Sequence, residues 1–590
     1  MTQFGPEKKD APMGRFSLFN LLPSITLVFF LAGWLNTTHV APWVSWHAEV
    51  PFFFVILSMG WIGVVRLSRQ ASTSRLPIPA LIWPFVGLLF IALIQYAVGT
   101  LFFLGDFFVF VFYLALCSIS ILLGFALTGP EFEPNSSKPW LSYAEWLAVS
   151  VLFGGLASTL VALGQVLEVW QSSSWVLPIP DTRRPGGNLG QPNHLATLIV
   201  MAIASAMFLQ AVKRLGNTVT MLLMILLAGC LAVTESRTGA LSLFSLMGWW
   251  WWKQSEVAQR VSRLWAAAVA AIFVAMFLLW PSALGYIRFE AGTLTARLGS
   301  GGSREGRMDV WPQLIEAALQ RPWWGWGARQ TSEAHNGVAH LYPYSMPFSY
   351  GHNLWLDLVI WFGFPIAGLL TVASAIWLWR RTGATQSPVS WYGFAIAVPL
   401  FVHSMFEFPH AYAYLLVPAM LGLGAVEKEL GGGRLFQLGV KPAVGALLVT
   451  SILTAWSVVE YFQIEEDFRV ARFELLRIGH TPTEYTQPEV HLLTQLGALT
   501  SAARIDPKPD MAPEHMLILK KVALHYPWTG TQYRYAMALA LNGNSDEANR
   551  QLQVIRSQYG EETYVRLLAE IQKKQLLLNT NESSVLRHLP

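Results

Sequence analysis

Three features of the 590-residue chain predict an all-α fold that crosses a membrane many times. Apolar residues make up 53% of it and charged residues only 13%, against roughly 25% charged in an ordinary soluble domain. Its 26 Trp and 35 Phe fall largely in apolar runs of about 20 residues, the length that spans a bilayer as a helix. Cys117 and Cys230, the two cysteines, both lie inside such runs, so neither a disulfide framework nor a thiolate metal cage is expected. This composition excludes a disordered, collagen-like or ordinary cytosolic chain.

Taken in order, the runs predict about thirteen helices, near 17–36, 49–66, 78–98, 106–127, 144–166, 193–212, 218–234, 239–252, 264–283, 352–379, 391–409, 411–427 and 443–462. The first follows Lys8, Lys9 and Arg15. It reads as a retained anchor, because its apolar run is longer than that of a signal peptide and more spans follow at once. With the N-terminus inside, seventeen Lys and Arg fall in inner loops and three, Arg183, Arg184 and Arg237, in short outer loops, as the positive-inside rule asks. An odd number of spans then puts the loop at about 284–351, and everything after residue 462, on the outside. The chain thus divides into a polytopic membrane domain, 1–462, and a helical soluble domain, 463–590. Within the latter, Tyr533 to Tyr559 reads as two helices around Asn542-Gly543-Asn544, either an ordinary hairpin or one tetratricopeptide-like repeat.

Polar groups at membrane depth are expensive, so the places where they gather point to function. Four segments stand out: 183–194, Glu235 to Gly239, the long loop ending in Tyr350-Gly351-His352-Asn353, and 403–414. All four follow odd-numbered spans, which predicts one site on the outer face. The long loop holds six Arg and no Lys, and a planar, permanently charged fork suits phosphate oxygens. Arg237 and Arg307, with Arg304, are therefore candidates for holding a phosphate-bearing ligand; the alternative is ion pairing with Glu235, Glu305 and Asp309. His403 and Glu407, four residues apart on one helix face, read either as half of a metal site or as an internal hydrogen bond that positions the turn at Tyr412. The second is preferred, so no metal is expected, and no nucleotide or cofactor motif accompanies it.

The run Gly187 to Ala196, the Arg237-Thr238-Gly239 turn, His352-Asn353-Leu354, and His403 to Pro409 with Tyr412 together resemble the O-antigen ligase superfamily. The likeness is greatest to its bacterial protein O-oligosaccharyltransferases, the pilin-glycosylating type. The resemblance implies an inner-membrane enzyme whose site faces the periplasm. Its donor would be a preassembled oligosaccharide on undecaprenyl diphosphate, and its acceptor a Ser or Thr hydroxyl of a protein such as pilin. The ligase branch uses lipid A core instead, and an O-antigen polymerase shares the plan. A lipid or solute transporter is the reading from another class, but the paired broken helices of transporters are not evident in the sequence. Membrane lipids are expected contacts and nucleic acid is not an expected partner.

The resemblance also assigns roles. His352 matches the family's essential histidine and becomes the candidate general base for the acceptor hydroxyl; on the residues alone it reads as an interfacial histidine capping a helix. Gln191 and Tyr412 match positions tied to activity, with Tyr414 an alternative beside Tyr412. Arg237 and Arg307 fall where the ligase branch meets the diphosphate, and Arg304, Asn193 and Glu407 complete the candidate substrate-binding set. Carboxylates paired for a covalent glycosyl intermediate are not evident, so inversion at the anomeric carbon is expected.

Overall fold

The computed structural model describes residues 21–70, 75–128, 141–170, 173–180, 184–258, 262–287, 306–432 and 436–579. Thirteen helices follow the thirteen expected runs: α1 (Leu22–Trp34), α2 (Trp46–Gln70), α3 (Trp83–Ala97), α4 (Leu104–Leu127), α5 (Tyr143–Val166), α6 (Pro192–Ala211), α7 (Asn217–Val233), α8 (Arg237–Val257), α9 (Leu264–Ile287), and, after two helices of the long loop, α12 (Leu354–Ala384), α13 (Pro388–Ser404), α14 (Ala413–Glu429) and α15 (Val440–Leu476). The long loop carries α10 (Gly306–Gln320) and α11 (Thr331–Ala339). Beyond α15 come α16 (Thr494–Arg504), α17 (Pro513–His525), α18 (Thr529–Leu541), α19 (Ser545–Tyr559) and α20 (Glu561–Asn579). Among the described residues, seven helices are long and apolar enough to cross a membrane, and three more are shorter apolar helices. The chain is an all-α, multi-pass membrane protein.

Helix α6 is apolar on nearly every side, and such a helix belongs in the middle of a bundle. It is buried from His194 to Gln210, with α5, α7, α8 and α13 around it. Helix α14 packs between α4 and α13. There a Cβ on Gly124 would stand 2.0 Å from the Leu421 carbonyl oxygen, and one on Gly424 2.2 Å from that of Ile121. Close backbone approach through small residues is what holds helices together in a membrane, where lipid is as apolar as the helix faces. At one end of the bundle, β1 (Arg75–Ile78) pairs antiparallel with β2 (Phe436–Gly439), tying the α2–α3 loop to the α14–α15 loop.

The run expected as one helix over 352–379 is interrupted. Gly363 in α12 has φ 80° and ψ 167°, with Pro365 two residues on. Proline removes a donor, and a left-handed glycine turns the chain, so backbone groups of α12 lose their helical partners. The Trp-Gly run of the long loop supplies new ones: Trp326 N donates to Ile360 O (2.7 Å), Gly327 N to Trp361 O (3.2 Å), and Phe364 N to Pro322 O (2.8 Å). A broken helix is tolerated at membrane depth only where protein re-satisfies it in this way.

Helix α15 is unbroken from Val440 to Leu476, running through the boundary expected at residue 462. Helices α16 to α20 then stack consecutively. The hairpin expected at 533–559 is α18 and α19, where Ala536, Ala538, Leu539 and Ala540 share one buried cluster with Ala548, Leu552 and Ile555. This helical tail docks on the bundle end opposite the β pair. Gly105 N donates to Thr494 Oγ1 (2.9 Å), Lys521 Nζ to Phe102 O (2.9 Å), and Ser345 N to Ser557 O (2.8 Å).

Candidate functional site

The polar segments meet at that docked end, and Glu407 joins two of them. Gln191 is the N-cap of α6, its side chain accepting from His194 N (3.1 Å) ahead of Pro192, while its Nε2 donates to Glu407 Oε2 (2.8 Å). Two residues on, Asn193 Nδ2 donates to Glu407 Oε1 (2.7 Å). Asn193 Oδ1 accepts from Ser236 Oγ (2.7 Å) and Arg184 Nη2 (3.3 Å), which brings in the Glu235–Gly239 turn. Asn353 Nδ2 donates to Met405 O (3.0 Å), attaching the end of the long loop. The turn before α6 is held by Asn188, whose Nδ2 donates to Leu35 O and Trp175 O, both at 2.9 Å.

His403 Nε2 lies 3.1 Å from Glu407 Oε2, the internal hydrogen bond preferred from the sequence. The structure adds His194, which brings three buried donor atoms, from His194, His403 and Glu407, within 4.8 Å of one another. All three side chains are engaged in hydrogen bonds: His194 Nδ1 with Tyr414 OH (2.8 Å), His403 Nδ1 with Thr197 Oγ1 (2.8 Å), and Glu407 with both amides.

Beside this cluster lies a cavity of about 400 Å³, within the ~300–1,000 Å³ range of small-molecule sites. Gln191, His194, Tyr412 and Tyr414 line it from the membrane helices, Arg329 and Tyr350 from the long loop, and Gln495, His525 and Tyr526 from the tail. His352 is not among the lining residues. Its ring stands against Phe348 (4.7 Å between ring centres) and edge-on to Phe408 (4.8 Å), and Phe408 in turn stacks on Tyr350 (4.8 Å) and Tyr412 (5.8 Å). His352 is left-handed at φ 52°, a conformation costly for a non-glycine residue and common at functional sites.

Of the expected arginines, Arg237 opens α8 with an exposed side chain, next in sequence to Ser236. Arg307 is the second residue of α10; its side chain, like all of Arg304, lies outside the described residues. The arginine that does line the cavity is Arg329, one of the six in the long loop but not singled out from the sequence. Its Nε is 3.9 Å from Asp106 Oδ1. His525 Nε2 is 3.4 Å from the same oxygen, and its Nδ1 is 2.8 Å from Glu333 Oε1.

Burial opposes charge on each of these groups outside the membrane. Around Arg329, the surrounding Tyr350, Asp106, Tyr526 and Glu49 outweigh it and hold the guanidinium above its ordinary pKa. For His525, Asp106 and Glu333 likewise prevail and raise the imidazolium. Burial pushes the Glu333 carboxyl up against the pull of His525. An ionisable residue in the first turn of an apolar span, Asp106, was the available sequence signal; His525 sits in an amphipathic tail helix and carries no motif.

Helices packed around a buried α6, a long loop braced on a broken span, and a cavity walled in part by a helical tail define a polytopic membrane protein with a composite cavity at one end. Three family models match the chain: a protein glycosylation ligase over residues 185–209, an O-antigen ligase over 222–373, and the C-terminal part of a virulence factor membrane-bound polymerase over 391–572. The matches over 185–209 and 222–373 are to ligase domains, consistent with the O-antigen ligase superfamily. It is similar to two proteins of Acinetobacter baylyi. One is a general O-oligosaccharyltransferase, 23% identical over 90% of this chain and 91% of the relative; the other is a ComP-specific O-oligosaccharyltransferase, 24% identical over 92% and 96%.

Proposed function

We propose that this chain is a glycosyltransferase that moves a preassembled oligosaccharide from undecaprenyl diphosphate to Ser or Thr hydroxyls of a protein. In this reading it sits in the bacterial inner membrane with its site facing the periplasm. The observation that carries the reading is the meeting of Gln191 and Tyr412 on one cavity, walled by membrane helices, the long loop and the tail together. The near full-length likeness to two O-oligosaccharyltransferases supports a protein acceptor.

In the reaction the acceptor oxygen attacks the anomeric carbon, the bond from that carbon to the phosphate oxygen breaks, and the electron pair leaves with the diphosphate. His352 takes the hydroxyl proton, help worth about 10²–10⁴-fold. Arginine charge, from Arg237 and Arg307 with Arg304, meets the diphosphate as it departs. Gln191 and Asn193, fixed by Glu407, set the edge of the site, and Tyr412 orients the acceptor. No energy source is needed beyond the sugar–phosphate bond of the donor.

The match of residues 391–572 to a membrane-bound polymerase favours one second reading, in which the acceptor is another carrier-linked glycan. One experiment separates them: purified protein with a defined carrier-linked glycan is offered pilin, rough lipopolysaccharide, or a second carrier-linked glycan. Transfer to pilin is expected, with His352→Ala and Arg237→Ala strongly impaired. Lengthening of carrier-linked glycan alone would establish the polymerase, and equal transfer by His352→Ala would remove the proposed base.

A further inference from the structure

The part of the cavity wall made by Arg329, Gln495 and His525 has no role in the chemistry above. Three elements supply it: the loop before α11, α16 and α17. Arg329 has φ 65°, a strained backbone for arginine. Its side chain keeps 23% of its surface exposed. Among the described residues its guanidinium makes no hydrogen bond: Nε is buried without a partner, and Asp106 Oδ1, its ion-pair partner, is 3.9 Å away. A guanidinium nitrogen buried without a hydrogen-bond partner carries a cost unless something else meets it.

The charge balance limits what that ligand is. Behind the wall, Asp106 and Glu333 offset Arg329 and His525, so the cluster is close to neutral. A second anion would meet two carboxylates, and a free cation would meet the guanidinium. A neutral ligand rich in hydroxyls fits both constraints, because each hydroxyl accepts from the arginine fork and donates to neighbouring oxygens. Trp43, Tyr350 and Tyr526, also in the cavity wall, add flat apolar faces for the ring of such a ligand. A peptide backbone offers one N–H donor and one C=O acceptor per residue, a sparser set than the several hydroxyls of one sugar ring, each of which both donates and accepts.

We propose that Arg329, Gln495 and His525, backed by Asp106 and Glu333, form a subsite for a neutral sugar of the carrier-linked glycan, so that the tail completes the donor site. This rests on the transferase reading, and binding tests it separately from turnover. Affinity for glycosylated undecaprenyl diphosphate and for bare undecaprenyl diphosphate would be measured on wild type, Arg329→Gln, Arg329→Lys and His525→Gln, each checked for an unchanged elution profile and melting temperature. Arg329→Gln and His525→Gln are expected to weaken the glycosylated carrier about tenfold, leaving the bare carrier and the KM for acceptor protein unchanged. Arg329→Lys, which keeps charge but loses the fork, should fall between.

Equal loss for the bare carrier would make Arg329 a diphosphate ligand and overturn the sugar subsite. A raised acceptor KM with intact donor affinity would mean that the wall holds peptide. Unchanged affinity for both carriers would remove any ligand role. Wild-type protein that binds the glycosylated carrier with this contrast but transfers nothing would refute the transferase reading while leaving the subsite standing.

Discussion

Glu407 accepts an amide hydrogen bond on each carboxylate oxygen, from Gln191 at 2.8 Å and Asn193 at 2.7 Å, residues 216 and 214 positions earlier in the chain. One buried carboxylate thereby sets the orientation of two amides at the start of α6 and joins that start to the turn before α14. Glu407→Gln keeps the shape but turns one acceptor into a donor that faces an amide donor. A charge-assisted hydrogen bond contributes about 1.5–3 kcal/mol, so the transfer rate is expected to fall at least tenfold, read as kcat on a carrier-linked donor. An unchanged kcat would reduce the cluster to packing.

Gly363 stands where no side chain fits. Its φ is +80°, and a Cβ there would lie 2.5 Å from the Trp323 carbonyl carbon and oxygen. Gly363→Ala should cost roughly 1–3 kcal/mol in backbone strain alone and push the Trp-Gly run off α12. The melting temperature of detergent-purified protein should drop by several degrees, and a melt indistinguishable from wild type would count against the bracing role of that break.

Acid should loosen the long loop through His335. Burial holds its pKa down at about 4, and the ring lies 3.0 Å from Gln313 Oε1 and 2.9 Å from Ser345 Oγ. A histidine kept neutral in the fold contributes stability that is full above its ordinary value of 6.5 and is lost as pH falls from there towards 4. The loss is on the order of 3 kcal/mol at the bottom of that window. Thermal melts from pH 8 to 4 should show wild type losing its advantage over His335→Gln as pH falls, and a constant difference between the two would refute the assignment.

Stereochemistry offers a check on the displacement itself. With a single attack on the anomeric carbon, the glycan should arrive on the acceptor with its configuration inverted relative to the donor. Proton NMR of the product's anomeric signal reads this directly, and retention, or a glycosyl–protein adduct trapped by mass spectrometry, would replace the proposed step.

The helices were legible because membrane crossing imposes a length and an apolarity that a sequence displays openly, and every expected run holds one. Convergence of the segments around Gln191, Glu235, Asn353 and Glu407 was legible for a related reason: polar residues are costly there and the alternation of spans sorts them by side. The break at Gly363 was not, because Gly363 and Pro365 are diluted by the apolar residues on both sides. Arg329 was hidden among six arginines of one loop, since only the fold tells which guanidinium turns inward. His525 was less readable still, for its meaning arises from docking against Asp106 and Glu333, which lie 419 and 192 positions away in sequence.

That docking bears on how the tail can be studied. A chain cut after Leu476 would lose Gln495, His525 and Tyr526, and with them one side of the chamber. Deleting the tail to ask how a client protein is recognised would therefore also open the proposed site. Exchanging tails between relatives is the sounder route, provided that each exchange carries the residues that face Asp106 and Arg329.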